Sequence, residues 1–424
     1  MGVEKNVTLL HEWHVENGAT MALFGGYDMP LWYPQGIKAE HLGVIQSAGL
    51  FDTSHMAVVT VAGDEALTLL QKCFSKDLKR CLGKKKGPLV RGRSVYGLFL
   101  TPDGHVLDDA IVSQAAERFY MVVVNAGMGG IVAQHLVKYS AGLDVEIDDL
   151  TDRVGKIDIQ GKNSARIVAS VLKDSDSVMS AFPYFSFKGW YDDSLDIAGE
   201  LCLKDGTPIM LSRTGYTGEF GFELFVGPEK LLSTWTMLLE AGKSYSLQPC
   251  GLAARDSLRA GAVLPLSHQD IGDWPFVHTP WPFAIADRDP AGAFSKEFVG
   301  SEALATLHSH EYTLPFAGYD PRKIVISDRA HVVDEAGTNI GRILTCATDM
   351  AIGRVGEEIV SIAGDDTPDD FIPRGLSCGF LRVDRRLEAG DLVFLTDGKR
   401  KIKVEIREDV RPDRTARRPM REML

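Results

Sequence analysis

The run SRTGYTGEFGFEL, Ser212 to Leu224, sets a carboxylate, Glu223, between Phe222 and Leu224. A period of two sends the two apolar side chains to one face of a strand and Glu223 to the other. If that other face lines a pocket, Glu223 offers two parallel acceptor oxygens to a ligand with two adjacent N–H donors, and a pterin presents such an edge through its 2-amino group and N3–H. The competing reading is an ordinary strand glutamate facing solvent.

Asp108 and Asp109 follow the Asp103-Gly104 turn. Strand alternation lets only one of them face a given pocket, so a shared-proton pair is not expected, and plain hairpin-end charges are the alternative. Arg255 and Arg259 lie one helical turn apart and project from one side. They could receive a ligand carboxylate, pair with Glu219 or Glu223, or face solvent. The run Lys84 to Lys86 reads as a loop rather than a clamp, and His55 in DTSHM as a structural turn rather than a base. No nucleophile elbow, phosphate-binding loop, dinucleotide fingerprint or H-E-x-x-H helix is present.

The elements that must position these groups alternate between helix and strand periods. GDEALTLLQKCF predicts an amphipathic helix, RSVYGLFLTPDGHVLDDAIVSQ two strands around the Asp103-Gly104 turn, and ERFYMVVVNAG a buried strand ending at Asn125. GKIDIQG, PIMLSR and GFELFVG read as strands, NSARIVASVL and PEKLLSTWTMLLEAG as helices, which is α+β patterning with helices on one side of a largely antiparallel sheet. CGLAARDSLRAGAV reads as a further helix. Beyond about residue 315 short strands with turn residues predict a small β-barrel or sandwich, and the basic tail RPDRTARRPMREML a solvated terminus.

The 424 residues allow a sizeable core, with 45% hydrophobic content. Forty-six basic against 58 acidic residues, a net charge of −12, argue against a nucleic-acid partner and against general attraction to anionic membranes. The N-terminal run lacks a signal-peptide core and no segment is apolar for a full membrane span, so a cytoplasmic protein is expected. The six cysteines form no C-x-x-C pair and have no histidine at zinc spacing, which indicates neither a disulfide framework nor a metal site.

SRTGYTGEFGFEL, GGYDMPLWY, AGLFDTSHM, TPDGHVLDDAIV, MVVVNA, IDIQG and CGLAARDSLR together resemble the signatures of the glycine-cleavage T-protein (aminomethyltransferase) family, in family order, and the likeness continues through GAFSKEFVGSEAL. The resemblance covers nearly the whole chain. It implies an α+β, three-domain ring with tetrahydrofolate in a central channel and a C-terminal β-barrel. The implied domains are residues 1–57 with 151–248, residues 58–150 with 249–290, and residues 291–424. It also implies that Asp108 is the catalytic carboxylate, that Glu223 grips the pterin edge, and that Tyr96, Asn125, Tyr216 and Arg259 complete the folate site.

The chain departs from the family after Arg259, where Ala260-Gly261-Ala262-Val263 replaces the usual continuation and Ser267 stands where a tyrosine is common. The same segment brings in His268, Asp270, Trp274 and Trp281. Aromatic faces with a nearby carboxylate can hold a methylated ammonium or sulfonium, so a small methylated donor is expected, with methyl or aminomethyl transfer to tetrahydrofolate. The alternatives are the ordinary glycine-cleavage reaction on a lipoyl carrier protein, and a non-catalytic folate-binding factor. The latter's relatives carry a Lys-Gly-Cys-Tyr type motif that is absent here.

Overall fold

The structure, a computed structural model, describes residues 5–197, 199–365, 367–368 and 370–424. A six-stranded sheet runs, edge to edge, through Phe187–Lys188, Met210–Ser212, Gly221–Val226, Gly155–Gln160, Gly49–Asp52 and Gln248–Pro249. Its pairings are antiparallel except for the short Gln248–Pro249 edge. The helices Ser164–Val171 and Leu231–Ala241 cover the face built by Ile157, Ile159, Phe222 and Leu224. Ala165, Val168 and Val171 recur at helical spacing on the buried side, so one apolar stripe meets one apolar sheet face.

A five-stranded antiparallel sheet runs Arg93–Leu100, Val106–Ala116, Phe119–Val124, Ala57–Ala62, Glu146–Asp149. The expected hairpin closes at Gly104, whose φ of 78° suits a residue without Cβ. Its N–H bonds the Thr101 carbonyl at 2.9 Å. Just before Asp108 the pairing slips: Phe99 faces Asp108, Leu100 faces Val106, and Leu107 is the extra residue of a bulge.

The C-terminal region forms a closed six-stranded barrel of Tyr312–Gly318, Leu376–Val383, Asn339–Asp349, His331–Val333, Leu392–Thr396 and Lys401–Ile406 around Phe316, Val332, Leu381, Leu395 and Val404. The helix Leu252–Gly261 ties the parts together. Arg255 donates to Asp158 of the six-stranded sheet at 2.6 Å and Arg259 to Thr345 of the barrel at 2.9 Å. Gly261 is required where it stands, since a Cβ there would lie 1.9 Å from Asp349 Oδ2.

The tail is not the solvated terminus that its composition predicts. Arg411 is fully buried, paired with Asp349 and with Glu219, the latter at 3.2 Å, and Met420 and Met423 join the core under the six-stranded sheet. Burial alone would raise the Asp349 pKa, but the charges of Arg411 and His41 hold it well below the usual range. A buried carboxylate needs such a cation, and composition does not reveal which distant arginine supplies it. Among the described residues no helix is long and apolar enough to cross a membrane.

Candidate active site

Asp108 has no exposed surface, and donors from two elements converge on it. The backbone N–H of Asn125, at the end of the neighbouring strand, donates to Oδ2 at 3.0 Å, and the Asn125 side-chain amide donates to Oδ1 at 2.7 Å. Ser267, 159 positions away in sequence, donates its hydroxyl to the same Oδ1 at 2.9 Å. His268 Nε2 stands 3.6 Å from Oδ1, an ion-pair distance rather than a direct hydrogen bond.

Strand alternation does not separate Asp109 from this group. The Asn125 amide reaches Asp109 Oδ1 as well, and Tyr96 donates its hydroxyl to Asp109 Oδ2 at 2.8 Å. Burial, followed by the Asp108 charge, pushes the Asp109 pKa up to about 6. The two carboxylates are therefore electrostatically linked, contrary to the sequence expectation, because one amide at the end of the adjacent strand bridges both beside the bulge at Leu107.

Glu223 sits in a second cluster and is not the solvent-facing glutamate of the competing reading. Phe222 and Leu224 enter the core as the period predicts, while the Glu223 side chain retains 9% exposure on the opposite face. Oε1 accepts from Lys156 Nζ and Oε2 from the Thr214 hydroxyl. Lys156, almost fully buried, also donates to Asp158 Oδ1 at 2.8 Å and to Thr53 at 3.1 Å. Burial alone would raise the Asp158 pKa, yet Lys156 and Arg255 hold it well below the carboxylate range.

Sequence reasoning missed Lys156, Asp158 and Thr214 as parts of the site. A signal was present in GKIDIQ, where Lys156, Asp158 and Gln160 alternate with Ile157 and Ile159 and so share one face. Each Glu223 oxygen has one protein donor and keeps acceptor capacity for another. The arrangement therefore fits a ligand edge with two N–H groups.

Tyr216 and Arg255 bridge the two clusters. Tyr216 donates its hydroxyl to the Pro265 carbonyl, two residues before Ser267, and the Arg255 guanidinium lies over its ring at 5.1 Å. Neither arginine pairs with Glu219 or Glu223, and neither faces solvent. Arg259 spends all five N–H groups inside the protein: on Asp256 twice, the Leu264 carbonyl, Asp270 and Thr345. Tyr96, Asn125 and Asp108 thus gather at one end, Glu223 lies at the other, Tyr216 stands between them, and Arg259 braces the segment leading to Ser267.

In the segment after Arg259 the aromatic side chains and the carboxylate are engaged by protein groups. Trp281 is 1% exposed, donates Nε1–H to the Val263 carbonyl at 2.8 Å and meets Phe380 edge-on. The Trp274 ring already lies against two protein cations, Arg382 at 4.6 Å and Arg342 at 4.8 Å. Asp270 is buried and taken by Arg259, Thr345 and the Leu266 N–H. These residues seal a seam between the barrel and the rest of the chain, because a buried arginine required a carboxylate and the indoles supplied apolar area.

A family model described as the GCVT N-terminal domain matches residues 10–275. The aminomethyltransferase of Streptomyces coelicolor is 34% identical over 82% of this chain and 87% of its own length, and that of Bacillus subtilis 31% identical over 82% and 88%. The crystal structure of the glycine cleavage system aminomethyltransferase T from Bartonella henselae superposes with a TM-score of 0.74 at 23% identity, covering 98% of this chain and 99% of that one. The fold is thus that of a T-protein, and by these sequence matches the chain belongs to the GCVT aminomethyltransferase family.

Proposed function

We propose that this enzyme transfers an aminomethyl group from the lipoyl arm of a carrier protein to tetrahydrofolate with release of ammonia, the glycine-cleavage reaction. This replaces the expected small methylated donor: Trp274, Trp281 and Asp270, which motivated that donor together with His268, are engaged by protein groups, and the curated relatives matched over four-fifths of the chain are aminomethyltransferases. The observation that carries the reading is Asp108, a fully buried carboxylate wrapped in donors and reached from solvent by one imidazole.

Glu223 would hold the pterin edge, its oxygens aimed by Lys156 and Thr214, with Tyr216 on Arg255 walling the space between the two clusters. Tetrahydrofolate, when bound, supplies the nitrogens that receive the carbon. Asp108 would accept the proton that the receiving nitrogen sheds, and Asn125 would keep the carboxylate oriented. Tyr96 would act through Asp109, and Arg259 as a brace rather than a direct ligand. The sheets support the proposed division into three domains, since strands from 49–52 and 155–249 pair in one sheet, 57–149 in another, and 312–406 in the barrel.

The test is an assay with tetrahydrofolate that compares an aminomethylated lipoyl carrier with methylated amines, sulfonium compounds and aryl methyl ethers. Ammonia release from the carrier is expected. Turnover of a methyl donor with none of the carrier would return the chain to the expected transfer from a small methylated donor.

A further inference from the structure

We propose that His268 is the proton carrier for Asp108, moving one proton between that buried carboxylate and the leaving group of the donor. The proposal rests on the reading of Asp108 as the reacting carboxylate. Of the groups that donate to Asp108, a backbone N–H, a carboxamide and a serine hydroxyl cannot relay a proton near neutral pH, and the titratable Asp109 is joined to Asp108 through the Asn125 amide rather than by a hydrogen bond of its own. The His268 imidazole can relay one, and it stands between Asp108 and solvent: Nε2 is 3.6 Å from Oδ1, a gap that a small side-chain rotation or one water closes for transfer, and its side chain is 50% exposed while Asp108 has no exposure.

The backbone holds the imidazole in position. Ser267 is bound to Asp108 on one side, and Gln269 donates to Thr345 at 2.7 Å on the other. His268 itself adopts a φ of 62°, a left-handed conformation that favours glycine, and Val263 in the same segment adopts 58°. Strain of this kind persists where the surroundings over-determine it, and it clusters at functional sites. The charged groups facing His268 are Asp108 and Asp109; Asp270, two positions on, is turned to Arg259. The interaction with Asp108 raises the imidazole pKa above the ordinary histidine value, against the effect of burial.

The relay balances. The bond from donor carbon to leaving group breaks with its electron pair on the leaving group, and the new carbon–nitrogen bond takes its pair from the receiving nitrogen. Asp108 accepts the proton lost at that nitrogen. The His268 imidazolium protonates the leaving group, and Asp108 then returns its proton to the neutral imidazole. One proton has moved from nitrogen to leaving group and both side chains are restored.

Two measurements on the full-length protein decide this. The first follows the His268 Cε1–H signal by NMR against pH, without any donor. The midpoint is expected above the ordinary value of about 6.5 and should fall in Asp108→Asn; a midpoint unmoved by that substitution would overturn the proposal. The second uses tetrahydrofolate and an aminomethylated lipoyl carrier. His268→Gly, whose new residue suits the backbone, should lower kcat about tenfold to hundredfold with tetrahydrofolate affinity by calorimetry held within about twofold. It should also lose the alkaline fall in kcat, which in the wild type follows deprotonation of the imidazolium, and added imidazole should restore turnover. Wild-type kcat and an unchanged alkaline limb in both His268→Gly and His268→Gln would overturn it too. Wild-type turnover by Asp108→Asn would instead bring down the reading of Asp108 and the relay with it.

Discussion

Glu223 and Asp108 both lie on interior strands with under a tenth of their surface exposed, but the cations beside them differ. Lys156 is a buried lysine whose Nζ contacts Glu223 and Asp158 together, and removing it would leave Glu223 without its cation and Asp158 with Arg255 alone. His268 is a half-exposed imidazole that contacts one carboxylate and can exchange its proton with water. A group that only grips a ligand profits from a fixed charge pattern. A group that handles protons needs a partner that can titrate.

The comparison breaks first if Asp108 proves replaceable. Asp108→Asn keeps the shape, and kcat is expected to drop about 10²–10⁴-fold while tetrahydrofolate affinity by calorimetry changes less than about threefold. The locked end is probed by Lys156→Met, which leaves Glu223 without its cation and Asp158 with Arg255 alone. A loss of about 3–5 kcal/mol in urea denaturation is expected, and a loss well under 1 kcal/mol would mean that the lysine locks nothing.

Glu223→Gln sharpens the contrast from the ligand's side. It should weaken tetrahydrofolate binding by about 2 kcal/mol, roughly thirtyfold in Kd, with little effect on kcat at saturation. Unchanged affinity would remove Glu223 from the pterin edge.

The dependence of stability on pH separates the two kinds of carboxylate by sign. Asp158 and Asp349 have depressed pKa values, so their contribution is complete above the unfolded value of about 4 and is lost as pH falls through the folded values. Asp109, raised to about 6, binds its proton more tightly in the folded chain, so stability should fall as pH rises from about 4 to 6 and then level off. Urea midpoints across pH 4–6 should lose that slope in Asp109→Asn, and a slope that survives would assign it to another group.

Much of the fold was legible because its signals are local. The helix at Ala66–Cys73, the hairpin at Gly104, the strand ending before Asn125, and Glu223 opposite Phe222 and Leu224 all follow from apolar period and turn chemistry within a dozen residues. The seven motifs that resemble the T-protein family sufficed to name it, as the sequence matches bear out. Periodicity could not say which buried charge meets which. Trp274 and Trp281 are free aromatics in the sequence and partnered ones in the structure, Trp281 buried against Phe380 and the partly buried Trp274 under Arg342 and Arg382 of the barrel.

By itself the sequence determined the elements, their order and the family, and it singled out the two carboxylates for which a role is proposed. The tertiary structure alone decided how each carboxylate is neutralised. Lys156 meets Glu223 across 67 positions, Ser267 meets Asp108 across 159, and Arg411 meets Asp349 across 62 from a tail whose composition predicts solvent. The reason is physical: hydrophobic period is a property of neighbours along the chain, whereas the cost of burying a charge is met by whatever opposite charge or donor the completed fold brings alongside.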